Sequence, residues 1–323
     1  MSDRQRSERR DYTPGAGLPL AVPIGTNDEG LSAQVSAEFA RSREPNTSAA
    51  SLPEVPSSPA SRVGARQLCR LADRLSDRDR EVLQLVAQHR YLTTSQLQHF
   101  CFLDHQSEST GGRVTRRVVR RLEQAGLLRA LSRRVGGVRA GSTATIWRLA
   151  PAGARIVYGD EKRRRSGEPS ERFLNHCLAI ADVHVLLHQH RRIEAIEDVA
   201  VEVEPASWRT YQGAGGERRW LQPDLYAEIT SSDFVDRHFI EVDLGTESLP
   251  TLLKKCHQYE EYRRSGLEQD RHGSFPLVVW LFLNESRAAR LAAAVSRSSK
   301  LTDAMYRVAT PGTLTQVLAG GTS

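Results

Sequence analysis

The sequence predicts an α/β chain in three parts: an unstructured amino-terminal tail, a small helical module with a β-hairpin, and a larger α/β domain. Three observations carry this expectation. The 323 residues suffice for two domains, each with its own core. Charge is spread unevenly: residues 1–65 hold 7 basic and 8 acidic side chains, residues 66–165 hold 21 and 9, and residues 166–323 hold 17 and 22. Apolar periodicity is missing before residue 66, helical in the basic block, and mixed after residue 172.

Residues 1–65 are rich in Ser, Pro, Gly, Ala and charge. Such a segment cannot offset its ordering entropy by burial, so a disordered tail is expected, either dispensable or partner-binding. The basic excess of residues 66–165 attracts a polyanion, either nucleic acid or an anionic membrane. The membrane is set aside because no stretch approaches the ~20 apolar residues of a spanning helix. The charged start MSDRQRSERRDY has no apolar run behind it to act as a signal peptide. Cys69, Cys101, Cys177 and Cys256 lie 32, 76 and 79 residues apart, too far for a zinc knuckle or redox pair, and read as reduced thiols of a cytoplasmic protein.

Within the basic block, residues 66–160, Ser76 and Asp79 have capping-box spacing ahead of Val82, Leu83, Leu85 and Val86, which marks a first helix. Thr93 or Thr94 can cap a second helix running through Leu97 and Phe100. A third is expected from Arg113, after Gly111 and Gly112, to Gly126. Val114, Val118, Leu122 and Ala125 form its apolar stripe; Arg113, Arg116, Arg117, Arg120 and Arg121 share one exposed flank, with only Glu123 nearby. The segments LLRALSRR and TATIWRLA bracket the glycine-rich VGGVRAGS, a hairpin signal, and a closing helix opens at Pro151. Three helices followed by a basic hairpin is the order of a winged helix-turn-helix. The recognition-helix arginines and the wing residues Arg129, Arg133, Arg134 and Arg139 are therefore the candidate contacts to double-stranded DNA.

A break at 161–171, with a basic run, Gly167 and Pro169, reads as a linker. The second domain, residues 172–323, opens with an apolar helix from Phe173 to His190. His184 and His188 on it have zinc-compatible spacing but no accompanying ligands, so they read as packed or surface histidines. Four strands are expected at 195–203, 221–229, 238–244 and 276–283, with helices at 249–265 and 286–298. The first three strands would form a meander, and the long helix would cross to the fourth.

Acidic residues gather inside this frame. Asp224 stands at the start of the second strand, in LQPDLYAEI. Glu241 and Asp243 share one face of the third, in HFIEVDLG. Carboxylates projecting together from an apolar strand repel unless something positive lies between them, and a divalent cation held by hard oxygens answers this.

The order Pro-Asp, then acid-X-lysine on the next strand resembles the PD-(D/E)XK nuclease superfamily over about residues 172–285. The resemblance makes Asp224 and Glu241 metal ligands for Mg²⁺ or Mn²⁺. Asp243 stands where the family has lysine; the role moves to Lys255 in TLLKKCHQYEEY, with Asp243 as an additional ligand. The winged helix, EVDLGTE and the lysine–tyrosine spacing together look like the replication-relaxation family of bacterial plasmids and integrative elements, and His176 in FLNHCLAIADV matches a histidine of that family.

The resemblance implies a DNA-binding protein of a mobile element that nicks or cleaves DNA, with replication or conjugation proteins as partners and a homodimer left open. The alternative is a non-catalytic replication initiator or regulator on a nuclease-like scaffold. A third reading, a covalent relaxase, would nominate Tyr259 or Tyr262.

Overall fold

Capping, apolar periodicity and β-branched runs together set the elements seen in a computed structural model of the chain. It describes residues 63–103, 107–132, 145–159, 167–191, 196–231 and 234–318. The expected tail, residues 1–65, lies almost wholly outside the described residues; helix α1 (Ala65–Asp73) begins where it was expected to end.

Helix α2 (Asp77–His89) starts with the Ser76–Asp79 capping box, and α3 (Thr94–Cys101) with a second one, in which Thr93 and Gln96 exchange bonds. Strand β1 (Leu92–Thr93) lies between them. Helix α4 (Glu108–Gln124) begins five residues earlier than the sequence suggested, because Ser107 caps it by accepting from the Thr110 amide. Gly112 sits inside the helix. A Cβ there would come within 3.1 Å of Gln98 Oε1 on α3, so the glycine permits close helix packing.

The buried stripe of α4 is also turned from expectation. Thr115, Val119 and Leu122 are buried, and Val114, Val118 and Ala125 are half-buried. Thr115 tolerates this because its hydroxyl donates to the Gly111 carbonyl. After Gly126, at φ +71°, β2 (Leu128–Ala130) pairs antiparallel with β3 (Ile146–Leu149), and β1 pairs with β3 from the other side. This is the element order of a winged helix. Helix α5 (Pro151–Tyr158) closes it. Arg133, Arg134 and Arg139, expected in the wing, lie outside the described residues.

Helix α6 (Glu171–His190) joins two cores. Ala181 and Val185 pack with α2, α3 and α4, while Ile180, Val183 and Leu187 pack on the large sheet. The residues from 62 onward accordingly form one compact unit. The expected linker falls partly on residues outside the description, and the helix that follows it is shared rather than confined to one domain.

The large sheet contains β4 (Ile196–Val203), β7 (Leu225–Ser231), β8 (Val235–Asp243), β9 (Leu277–Phe282) and β10 (Tyr306–Ala309), in the order β10-β9-β8-β7-β4. Strands β4, β7 and β8 form the expected antiparallel meander. Helix α7 (Leu249–Arg264) then crosses to β9, parallel to β8. The short α8 (Leu267–His272) follows α7, and α9 (Glu285–Ser296) returns the chain to β10.

The sequence reading merged two elements here. Strands β5 (Arg209–Gln212) and β6 (Arg218–Leu221) form a separate hairpin before β7. It also missed β10 and α10 (Leu314–Leu318), both too short to show a period. Helices α7 and α9 cover one face of the sheet; α6 and α10 cover the other.

Candidate functional site

Pairing of Leu225 with Ile240 brings Asp224, just ahead of β7, beside Glu241 on β8. Alternation along β8 sends Phe239, Glu241 and Asp243 to the face beneath α7 and α9, and Ile240 and Val242 to the opposite core. Helix α7, capped by Ser248, lays Lys255 and Tyr259, one turn apart, over Glu241. Lys254 beside them is exposed.

Lys255 Nζ lies 2.5 Å from Glu241 Oε2 and 4.0 Å from Asp224 Oδ1. Tyr259 donates its hydroxyl to Glu241 Oε1. Asp224 Oδ2 accepts the Val242 amide at 2.8 Å, and Oδ1 lies 3.3 Å from His176 Nε2 on α6. Two helices on opposite faces thus meet the acidic pair: α7 with Lys255 and Tyr259, α6 with His176.

Burial sets the titration of this cluster. With Glu241 only 2% exposed, desolvation pushes its carboxyl up to about 8, against the pull of Lys255. Burial alone would lower the Lys255 ammonium, but Glu241 and Asp224 more than reverse it and hold it above the ordinary lysine range. Asp224 goes the other way. Its burial cost is outweighed by Lys255, His176 and the Val242 amide, so its carboxyl titrates below the usual range. His176 is disfavoured as a cation by burial, yet its bond to Asp224 raises it above the ordinary histidine value.

Asp243 does not join this group. Arg287, in the first turn of α9, takes both its carboxylate oxygens and also donates to the Glu247 carbonyl. The sequence expects Asp243 as an additional metal ligand; in the structure its charge is answered by a guanidinium. Among the described residues, no group of three or more His, Cys, Asp or Glu is placed to hold a metal. The residues that could hold one are Asp224 and Glu241. Nothing in the local sequence marks Arg287, whose partner lies 44 positions away across the β8–β9 pairing.

Tyr259 and Tyr262 are fully buried; the first donates to Glu241 and the second to Glu268. Burial and these carboxylates raise both phenols, leaving neither an accessible phenolate.

His184 and His188 also find their place. His184 Nδ1 meets His89 Nε2 of α2 at 2.9 Å, and both α6 histidines lie edge-on to Phe100 of α3. Nearby, Gln96 donates to the Leu178 carbonyl and to Asp182. These contacts fasten α2 and α3 to α6.

On α4 the five arginines are exposed as expected. Arg121, however, is paired with the buried Asp79 at 2.5 Å, the same carboxylate that caps α2. Arg113, Arg116, Arg117 and Arg120 have no carboxylate partner among the described residues.

No curated protein and no solved structure matches this chain. A family model does: the replication-relaxation model matches residues 83–278. That span runs from the middle of α2 into β9. It includes α4, the shared helix α6 and all four residues of the Asp224–Glu241–Lys255–His176 cluster. The chain belongs to the replication-relaxation family.

Proposed function

We propose that this protein acts in plasmid replication and DNA relaxation, with the winged helix holding duplex DNA and the cluster around Glu241 breaking a phosphodiester bond. The observation that carries the reading is the convergence of two nearly buried carboxylates, Asp224 and Glu241, on Lys255. Burying such charges is costly and does nothing for packing that apolar residues would not do better. Clustered buried ionisable groups mark functional sites.

The donor set suits a hard divalent cation. Mg²⁺ is commonly held by one or two carboxylates and keeps several waters. Asp224 and Glu241 are such a pair, and they already share one positive group. When bound, the ion would supply charge for the phosphate and an activated water. Lys255 pairs with phosphate oxygens, His176 orients the Asp224 carboxylate, and Tyr259 fixes the rotamer of Glu241. Hydrolysis joins the water oxygen to phosphorus, breaks the bond to one ester oxygen, and passes the water proton to the departing oxygen by way of solvent.

Four arginines on the exposed flank of α4, with no carboxylate partner among the described residues, support duplex binding. Arg133, Arg134 and Arg139 would extend it to the wing. The site of action is the cytoplasm, where replication or conjugation proteins of the element would meet it.

A second reading rests on Arg287. With Asp243 held by that guanidinium, the strand lacks both the lysine and a free acid at the third motif position, as expected of a replication initiator on a nuclease-like scaffold. Incubation with supercoiled plasmid in Mg²⁺, Mn²⁺ or EDTA separates the two. Metal-dependent nicking lost in Asp224→Asn and Lys255→Ala establishes the nuclease; DNA binding without nicking in either metal establishes the scaffold.

A further inference from the structure

Beneath the β5–β6 hairpin lies a cleft of about 350 Å³, walled by Trp208, Arg209 and Thr210 of the hairpin strand, Tyr226 and Glu228 of β7, and Arg271 of α8. Its walls are aromatic and hydrogen-bonding at once. The Trp208 indole N–H is buried with no acceptor, although an indole nitrogen can only donate. Glu202 and Glu228, also on the wall, offer carboxylate acceptors.

Basic and aromatic side chains alternate around this cleft. Arg209 lies 4.6 Å over the Tyr226 ring, and Arg218 lies 5.0 Å over Trp220, which meets Trp208 edge to face. Arg209 is spent on Glu202 and Glu268. Arg218 and Arg271 have no carboxylate partner among the described residues. A pocket with the Trp208 indole and carboxylate acceptors on its wall, and with the Arg271 guanidinium facing no carboxylate among the described residues, has the chemistry of a nucleobase site beside a phosphate backbone.

Position strengthens this. The segment leading into β5 is tied to the acidic site: Ser207 donates to the Pro223 carbonyl, and the Glu204 amide to that of Asp224. Tyr226 stands two residues along from Asp224 on the same face, roughly 7 Å, about two stacked steps of a nucleic-acid strand.

We propose that this cleft takes a nucleobase separated from its complement, so that the protein engages locally unpaired DNA next to the Asp224–Glu241–Lys255 cluster. The inference rests on the DNA-binding reading and specifies the form of the substrate.

The test uses the full chain and two fluorescent 2-aminopurine duplexes of one sequence, one fully paired and one with the probe base in a short unpaired bubble. Anisotropy should show the bubble bound on the order of 10-fold more tightly, with 2-aminopurine emission quenched. Trp208→Leu should lose both effects and bind the paired duplex as the parent does. Trp208→Phe, which keeps a ring, should retain part of the quench.

Excess deoxyadenosine monophosphate distinguishes sources of the base. Displacement of the probe assigns the cleft to a free nucleotide, retention assigns it to a DNA strand, and both support the nucleobase. Equal affinity of the parent for the two duplexes, with no quench, overturns this inference alone. Binding to neither overturns the DNA-binding reading and this inference with it.

Discussion

Lys255 and Glu241 meet at 2.5 Å, the ammonium a quarter exposed and the carboxylate almost fully enclosed. The ammonium can reach solvent and the carboxylate cannot, so removing the two partners has unequal consequences.

Lys255→Met leaves Glu241 buried beside Asp224 with no cation. Breaking a buried pair in this way costs about 3–5 kcal/mol. Glu241→Gln still accepts from Lys255 and Tyr259 and should change stability by less than about 1.5 kcal/mol. Because burial lifts the Glu241 carboxyl to about 8 from 4.5, the folded chain holds a proton that the unfolded chain has released, and its contribution to stability falls as pH rises from 4.5 toward 8. Without Lys255 the fall should extend to higher pH, since one carboxyl releases at most one proton, and in Glu241→Gln this contribution should vanish. Thermal melts of the three proteins at pH 5 and pH 8 read this directly.

His176 should titrate above 6.5 because Asp224 stabilises its cation. A folded value above the unfolded one means that its contribution is fully present below pH 6.5 and is lost as pH rises through the folded value. Histidine NMR titration should find the raised value in the parent and a lower one in Asp224→Asn. The same value in both would remove Asp224 as its cause.

The arginines of α4 should divide into two classes. Replacing Arg116, Arg117 and Arg120 by Ala should weaken duplex binding and lower the salt slope by up to about 0.9 per lost phosphate contact, with the melting temperature unchanged. Arg121→Ala should instead destabilise the fold, by roughly 1–3 kcal/mol, because it strips a partner from the buried Asp79 carboxylate. Equal melting temperatures for the two variants would contradict that division.

The histidine contact between α2 and α6 should limit acid stability. Burial lowers His89 to about 4, so the unfolded chain takes up a proton first and stability falls as pH drops from 6.5 toward 4. The loss is about 3 kcal/mol for a shift of this size. His89→Phe, matched to the aromatic contact with Phe100, should flatten that acid limb in urea melts.

Gly153→Ala should be among the most damaging single changes in the winged helix. A Cβ there would lie 2.1 Å from the Leu127 carbonyl oxygen, so α5 must move off β2. Overpacking of this kind costs about 1–3 kcal/mol or more, visible as a lowered melting midpoint.

Local chemistry made much of this readable from sequence. The Ser76–Asp79 box, the expected long helix from Leu249 and the alternation that puts Glu241 on the face of α7 all involve neighbours within a few residues. Lys255 was legible for the same reason, one turn from Tyr259 on a capped helix. The Arg287–Asp243 and Arg121–Asp79 pairs were not, because they come from tertiary packing: Arg287 reaches Asp243 across the β8–β9 pairing, and Arg121 reaches Asp79 between helices. That a cation must relieve the acids follows from like-charge repulsion; that the guanidinium of Arg287 faces Asp243 follows only from the packed fold. The β5–β6 hairpin was lost because four-residue strands carry too few alternations to separate from β7.

Helix α6, whose one turn contributes to both cores, has a mechanical consequence. If α4 grips duplex DNA as proposed, that duplex is held in a set position relative to Glu241, since α6 packs into both cores. The protein would behave as a ruler: any bond it breaks should fall at a constant number of base pairs from the gripped sequence, and inserting one base pair between them should move the cut rather than stretch the reach.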